Sequence, residues 1–295
     1  MNRTHSFISL IFILPTIFSL GICQNIDQRV NRLETRLDSL INALKNQSSD
    51  IAIGDTFFDN SSVLYGVLGT KGTILNKTYF VINHNNAWKI PYWGAYYASS
   101  SNLQGTANRT NDFKPDPELP VGSRSELEDY RNSGYDRGHN APAADFKRSN
   151  EAMAMTFLLS NMSPQTPKLN RDIWRILEEQ TRNMVLTGGE AWIFTGNAFL
   201  SPDSHFVNPR EFIGPDNVAV PTHCFKAVLY KDNNGNYTAY AFLIPNQRET
   251  IPGTPADYLI SVDKLEKITN YDFFYKLDDS LENRTESAIP SVWPR

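Results

Sequence analysis

The densest group of chemically capable side chains in this sequence is Tyr135-Asp136-Arg137-Gly138-His139-Asn140, followed by Asn161 and then by Asn170, Arg171, Trp174, Arg175, Glu178 and Glu179. Histidine is the side chain that takes or releases a proton near neutral pH. The guanidinium of arginine is a planar fork that matches phosphate oxygens. Together they suit cleavage of a phosphodiester. Phosphate hydrolysis also calls for a hard cation, and amide or carboxylate oxygens supplemented by water are what magnesium accepts. Asn170 and Glu178 carry such oxygens.

These residues need elements that position them. Leu169, Ile173, Ile176 and Leu177 form an apolar stripe at helical spacing, which predicts a helix over 169–182. On it Asn170, Trp174 and Glu178 fall at i, i+4 and i+8 and share a face, Glu178 about two turns beyond Asn170. Asn170 could then ligate a metal directly and Glu178 act through a metal-bound water. Glu179 turns away by about 100° and reads as solvated, while Trp174 reads as core. Runs of β-branched and aromatic residues bounded by Gly, Asn and Pro predict strands over 63–68, 72–83, 88–98, 191–194, 224–230 and 237–243, with a hairpin turn at 232–236. A second short helix is expected over 261–270. The mixture predicts an α+β domain with a mainly antiparallel sheet flanked by helices.

In this order and company the residues resemble the DNA/RNA non-specific endonucleases of the ββα-metal fold, a family that includes secreted bacterial sugar-non-specific nucleases and mitochondrial endonuclease G. The resemblance rests on Gly134-Tyr135-Asp136-Arg137-Gly138-His139, on Leu159-Ser160-Asn161-Met162-Ser163-Pro164-Gln165, and on Leu169-Asn170 through Trp174 to Leu177-Glu178. Arg109 with Phe113-Lys114-Pro115-Asp116-Pro117, Val220-Pro221-Thr222-His223 and Ile244-Pro245-Asn246 support it. The resemblance implies His139 as general base and Asn170 as the one direct protein ligand of a hydrated Mg²⁺, with Mn²⁺ able to substitute. It implies that Arg109 and Arg137 clamp the scissile phosphate, that Glu178 positions metal waters and that Asn161 helps orient the site. Asp136 is then scaffolding that fixes the strand presenting His139. Such enzymes read the phosphate backbone of DNA and RNA rather than the bases and leave a 5′-phosphate. A base must be neutral, so activity is expected to rise with pH through the histidine range near ~6.5. The alternative from another class is an inactive secreted nucleic-acid- or glycan-binding protein, which has no physical reason to keep the whole set.

With 28 Lys and Arg against 32 Asp and Glu, the net charge of −4 excludes a generally basic surface, so any polyanion site must be a local cluster. The length suits one large core, expected as a single domain over 50–295. Arg3 and His5 precede an apolar run from Phe7 to Ile22, and no acidic residue occurs before Asp27. Residues 1–23 therefore read as a cleaved secretory signal, predicting a secreted protein with no stable membrane association. Cleavage would leave Cys224 as the sole cysteine, so the core must hold without disulfides. Ile26, Val30, Leu33, Leu37, Leu40 and Leu44 follow alternating steps of four and three, a heptad seam that predicts a short coiled-coil helix over 24–46 and a homo-oligomer through 26–44. Beyond the expected signal, sequons start at Asn46, Asn60, Asn76, Asn108, Asn161, Asn236 and Asn283, as expected of a glycoprotein. Two of them conflict with the proposed site: Asn108 adjoins Arg109 and Asn161 belongs to it.

Overall fold

The computed structural model describes residues 61–69 and 72–293; the expected signal segment 1–23 and heptad helix 24–46 lie outside the described residues. The strands are β1 (Val67–Leu68), β2 (Thr73–Lys77), β3 (Phe80–Asn85), β4 (Ile90–Ser99), β5 (Asp136–His139), β6 (Met162–Gln165), β7 (Gly189–Ala198), β8 (Phe212–Ile213), β9 (Val218–Ala219), β10 (His223–Asp232), β11 (Tyr237–Pro245), β12 (Leu259–Ile260) and β13 (Asp272–Phe273). Seven of them form the central antiparallel sheet in the order β12-β11-β10-β7-β4-β3-β2.

Strand β10 shows how the sheet is filled. Cys224 and Val228 point to one face and Phe225, Ala227 and Leu229 to the other, and all five are buried. Both faces are covered, so the central strands read as nearly continuous apolar runs instead of alternating with polar residues. The helix Trp174–Gly188 covers the first face, packing Trp174, Leu177, Met184 and Val185 over Tyr96, Ile193, Val228 and Phe242. The helix Val262–Thr269 and the segment through Leu277 cover the second, setting Val262, Leu265, Phe273 and Phe274 against Trp93, Phe194, Phe225 and Ala241. Ser261 caps the Val262–Thr269 helix by accepting from the Lys264 N–H, and Asn270 ends it in the left-handed conformation, φ 57.

Local chemistry accounts for two departures from expectation. The strand expected over 63–68 is a 3₁₀ turn (Ser61–Val63) followed by only Val67–Leu68, because Gly66 adopts φ +69 and its missing side chain leaves room for the Tyr275 ring. The run 72–83 is a tight hairpin: Lys77 pairs with Phe80 across Thr78 and Tyr79, with Thr78 at φ 26. The strand expected over 88–98 runs from Ile90 to Ser99, the other expected strands are present and extend further, and the turn at 232–236 is held by the Asp232 carboxylate, which accepts from the N–H groups of Asn234 and Asn236 at 2.8 Å each.

Away from the main sheet, β5 and β6 form a separate antiparallel hairpin in which Gly138 faces Ser163 and His139 faces Met162. A Cβ on Gly138 would lie 2.2 Å from the buried Gln165 side chain, so only glycine lets the two strands close. Gly138→Ala is expected to lower stability by about 1–3 kcal/mol. Denaturant unfolding with a wild-type midpoint would contradict this.

Candidate active site

The β5–β6 hairpin leads into the site helix, which begins with a π turn (Leu169–Ile173) before continuing as Trp174–Gly188. The widened turn is closed by the Trp174 N–H, which donates to the Leu169 carbonyl. It lets Asn170 face outward while Trp174 is fully buried in the core. One carboxylate joins hairpin and helix. Asp136 accepts from Asn170 Nδ2 at 2.9 Å and from Arg171 Nε and Nη2 at 2.7 and 2.5 Å. Burial acts to raise the Asp136 pKa, but the Arg171 and Asn170 hydrogen bonds outweigh it and hold the carboxyl below its ordinary value. Because an ionised carboxylate only accepts, it fixes which end of the Asn170 amide faces it: nitrogen toward Asp136, oxygen away.

Beside this clasp lies a cavity of about 330 Å³ lined by Arg109, Arg137, His139, Asn170, Arg171, Arg175, Glu178, Glu179 and Arg182, with Pro142, Ala143 and Ala144. Five arginines line it; Arg171, Arg175 and Arg182 are ion-paired with Asp136, Glu179 and Asp145, whereas Arg109 and Arg137 make no ion pair with a described residue and supply the local positive charge that an acidic chain needs for a polyanion. His139 is 8% exposed, packed edge-on between Phe113 and Phe157 at centroid distances of 5.8 and 5.2 Å, and its buried Nε2 has no hydrogen-bond partner among the described residues. Burial, and then the charge of Arg109, push its pKa down to about 3, against a hydrogen bond with the Arg137 backbone. The imidazole is therefore neutral throughout the physiological range, and the expected activity rise through ~6.5 is not set by this group in the free protein.

The same aromatic wall carries two arginines. The Arg137 guanidinium lies 4.8 Å over Phe113 and 5.7 Å over Tyr130, and that of Arg109 lies 5.0 Å over Phe157. Holding a guanidinium by an aromatic face places the charge without consuming its in-plane N–H donors.

Glu178 stands above a buried charge network. Arg182 Nε donates to Asp145 Oδ1 at 2.5 Å, Tyr96 donates to Asp145 Oδ2 at 2.8 Å, and the fully buried Lys226 donates to Thr195 Oγ1 at 2.7 Å. Burial raises the Glu178 pKa, with Lys226 opposing and Asp145 reinforcing the rise. Burial lowers that of Lys226, against the pull of Glu178 and Asp145. Each buried charge thus has an opposite one nearby, without which it would be strongly unfavourable.

A base facing a basic cavity beside an oriented amide can be set against known proteins. The family model for the DNA/RNA non-specific endonucleases matches residues 60–280. This chain belongs to that family. It is similar to Nuclease C1 of Cunninghamella echinulata var. echinulata, 35% identical over 231 residues that cover 75% of this chain and 91% of the relative. A Nuclease of Nostoc sp. is 36% identical over 225 residues, covering 73% and 78%. The fold is similar to a chain in the crystal structure of the EndoG/EndoGI complex, with a TM-score of 0.68 and 26% identity over 74% of this chain and 91% of that one. The chain is thus an enzyme of the non-specific nuclease family, α+β with a central antiparallel sheet, and the family typically uses a divalent metal.

Of the residues singled out in the sequence, His139, Arg109, Arg137, Asn170 and Glu178 meet at the one cavity. Asn161 does not line it. It is fully buried, its Oδ1 accepting from the Ala141 N–H at 2.9 Å and its Nδ2 donating to the carbonyls of Ala141 and Thr156 at 3.0 and 2.9 Å. These bonds pin the chain just beyond His139, the way in which a residue that helps orient the site would act from outside the cavity. The downstream motif acts similarly, Asn246 donating to the Pro164 and Pro221 carbonyls and accepting from the Thr166 N–H. Sequence reasoning missed Arg182, one helical turn beyond Glu178, and also Asp145 and Lys226. Lys226 was detectable, since strand alternation gives it the inward direction of Cys224 and Val228.

In metal-free protein the His139 ring should stay neutral from pH 7 to pH 5, read as flat imidazole shifts in NMR; a titration centred near ~6.5 would contradict the burial. Asn161→Ala should cost about 2–4 kcal/mol in denaturant unfolding, because buried peptide groups lose their partners. For the same reason peptide mapping should find Asn161 unglycosylated.

Proposed function

We propose that this chain is a secreted, Mg²⁺-dependent endonuclease that hydrolyses phosphodiester bonds of DNA and RNA without sequence preference and leaves 5′-phosphate ends. The observation that carries the reading is the partnerless Nε2 of a neutral His139 at the cavity that Asn170, Glu178 and five arginines also line. In this reading the β5–β6 hairpin and site helix are the ββα-metal motif. His139 takes the proton from the attacking water. Arg109 and Arg137 hold the scissile phosphate through its oxygens, so the backbone and not the base is recognised. Asn161 keeps the His139 segment in place from beneath.

The donor set fits a hydrated magnesium ion. Asp136 takes the nitrogen end of the Asn170 amide, leaving one neutral oxygen as ligand, and Glu178 shares the cavity. Magnesium keeps several waters and needs few protein ligands, and Mn²⁺ accepts the same oxygen donors. Bound there, the ion would stabilise charge developing on the phosphate and leaving oxygen.

Secretion rests on the apolar leader at 1–23, and the single domain over 50–295 and homo-oligomerisation through 26–44 rest on composition and the heptad pattern. After leader cleavage no stable membrane association is expected; among the described residues no helix is long and apolar enough to cross a membrane.

Purified protein should digest both plasmid DNA and RNA with Mg²⁺ and lose activity in excess EDTA. His139→Ala should reduce cleavage by about 10²–10⁴-fold with an unchanged circular dichroism spectrum. Full digestion in EDTA, or by the alanine variant, would sink the assignment.

A further inference from the structure

Burial against the second face of the sheet brings together three carboxylates that nuclease chemistry does not use. Asp263 and Glu266 lie one turn apart on the helix Val262–Thr269, and Glu286 ends the helix Asp279–Glu286. One oxygen from each lies within 4.8 Å of the other two. Glu286 is only 4% exposed, yet its buried Oε1 has no hydrogen-bond partner, and none of the three acids makes an ion pair with a described residue. Glu266 accepts one hydrogen bond, from the Phe273 N–H at 2.7 Å.

We propose that Asp263, Glu266 and Glu286 form a calcium site that ties the two C-terminal helices together. Three acids at a half-buried seam repel one another unless a counter-charge joins them. Burial first, and then the neighbouring carboxylates, push Glu286 up to about 9 and, against its bond from Phe273, Glu266 up to about 7, the behaviour of ligands that hold protons in place of a cation. Three carboxylate oxygens within 4.8 Å of one another can converge on one hard cation, and calcium takes about six to eight such oxygens at about 2.3–2.6 Å, whereas magnesium keeps most of its waters and binds through one or two carboxylates. Calcium also tolerates an irregular shell completed by water, as a site open on one side requires. The described residues contain no disulfide, Cys224 being free and buried, so a metal staple would be the sole cross-link within them. The proposal is independent of the nuclease reading.

Calorimetric melting of the full chain tests it, first in EDTA and then with calcium up to about 10 mM, above the range of extracellular calcium modules. Wild type is expected to melt on the order of 5 °C higher with calcium near 100 times its Kd. Glu286→Gln removes a buried acid from the cluster, so it should melt at or above wild type in EDTA and show no calcium shift. Asp263→Asn, at a half-exposed position, should also lose the shift and serves if the first variant does not fold. Absence of a shift in wild type overturns the proposal. So does a calcium shift that survives both substitutions, which would place the ion elsewhere.

Discussion

The site depends on the contact between Asp136 and the first turn of the helix that follows the hairpin. Asp136 lies on the strand that carries Arg137 and His139, and it receives both the Asn170 amide and the Arg171 guanidinium. A short hairpin outside the main sheet has few pairings of its own to fix its angle. The clasp supplies that constraint by joining the strand that carries the base to the helix turn that carries the amide oxygen. The π turn belongs to the same arrangement. It lets the helix bury Trp174, Leu177 and Val185 against the sheet while its first residues face Asp136.

Packing then sets the chemistry. Phe113 and Phe157 remove water from His139, which keeps the imidazole neutral, and they also carry Arg137 and Arg109 on their faces. Water exclusion and charge placement therefore share the same two rings. Beneath Glu178, Lys226, Asp145 and Arg182 carry balancing charge into the core. Asp145 is tied to both the helix and the sheet, through Arg182 and Tyr96. An acidic chain can thus present five arginines at one cavity without a basic surface overall.

What could be read from the sequence followed from locality. That His139, Asn170 and Glu178 share a cavity was legible because each sits in a short motif that carries the family resemblance, although the uniform spacing that also put Trp174 on their face does not hold through the π turn. The sheet was legible strand by strand, and its breaks at Gly66 and Thr78 were not, since a positive φ is demanded by tertiary contacts such as the Tyr275 ring. That Asn161 acts from full burial rather than from the cavity wall was not legible, because an amide looks the same in sequence whether it faces a ligand or buried peptide groups. The Asp145–Arg182 pair joins residues 37 apart, and nothing local signals it. The π turn is likewise invisible to a pattern that assumes uniform helical spacing.

Manganese binding to an Asp136→Ala variant, followed by electron paramagnetic resonance, tests the central claim most directly. Without the carboxylate the Asn170 amide is free to rotate and the helix turn loses its tie to the His139 strand. The account predicts that the binding abolished by Asn170→Ala is weakened about 10–100-fold in Asp136→Ala with the fold retained. Wild-type affinity in Asp136→Ala would contradict it.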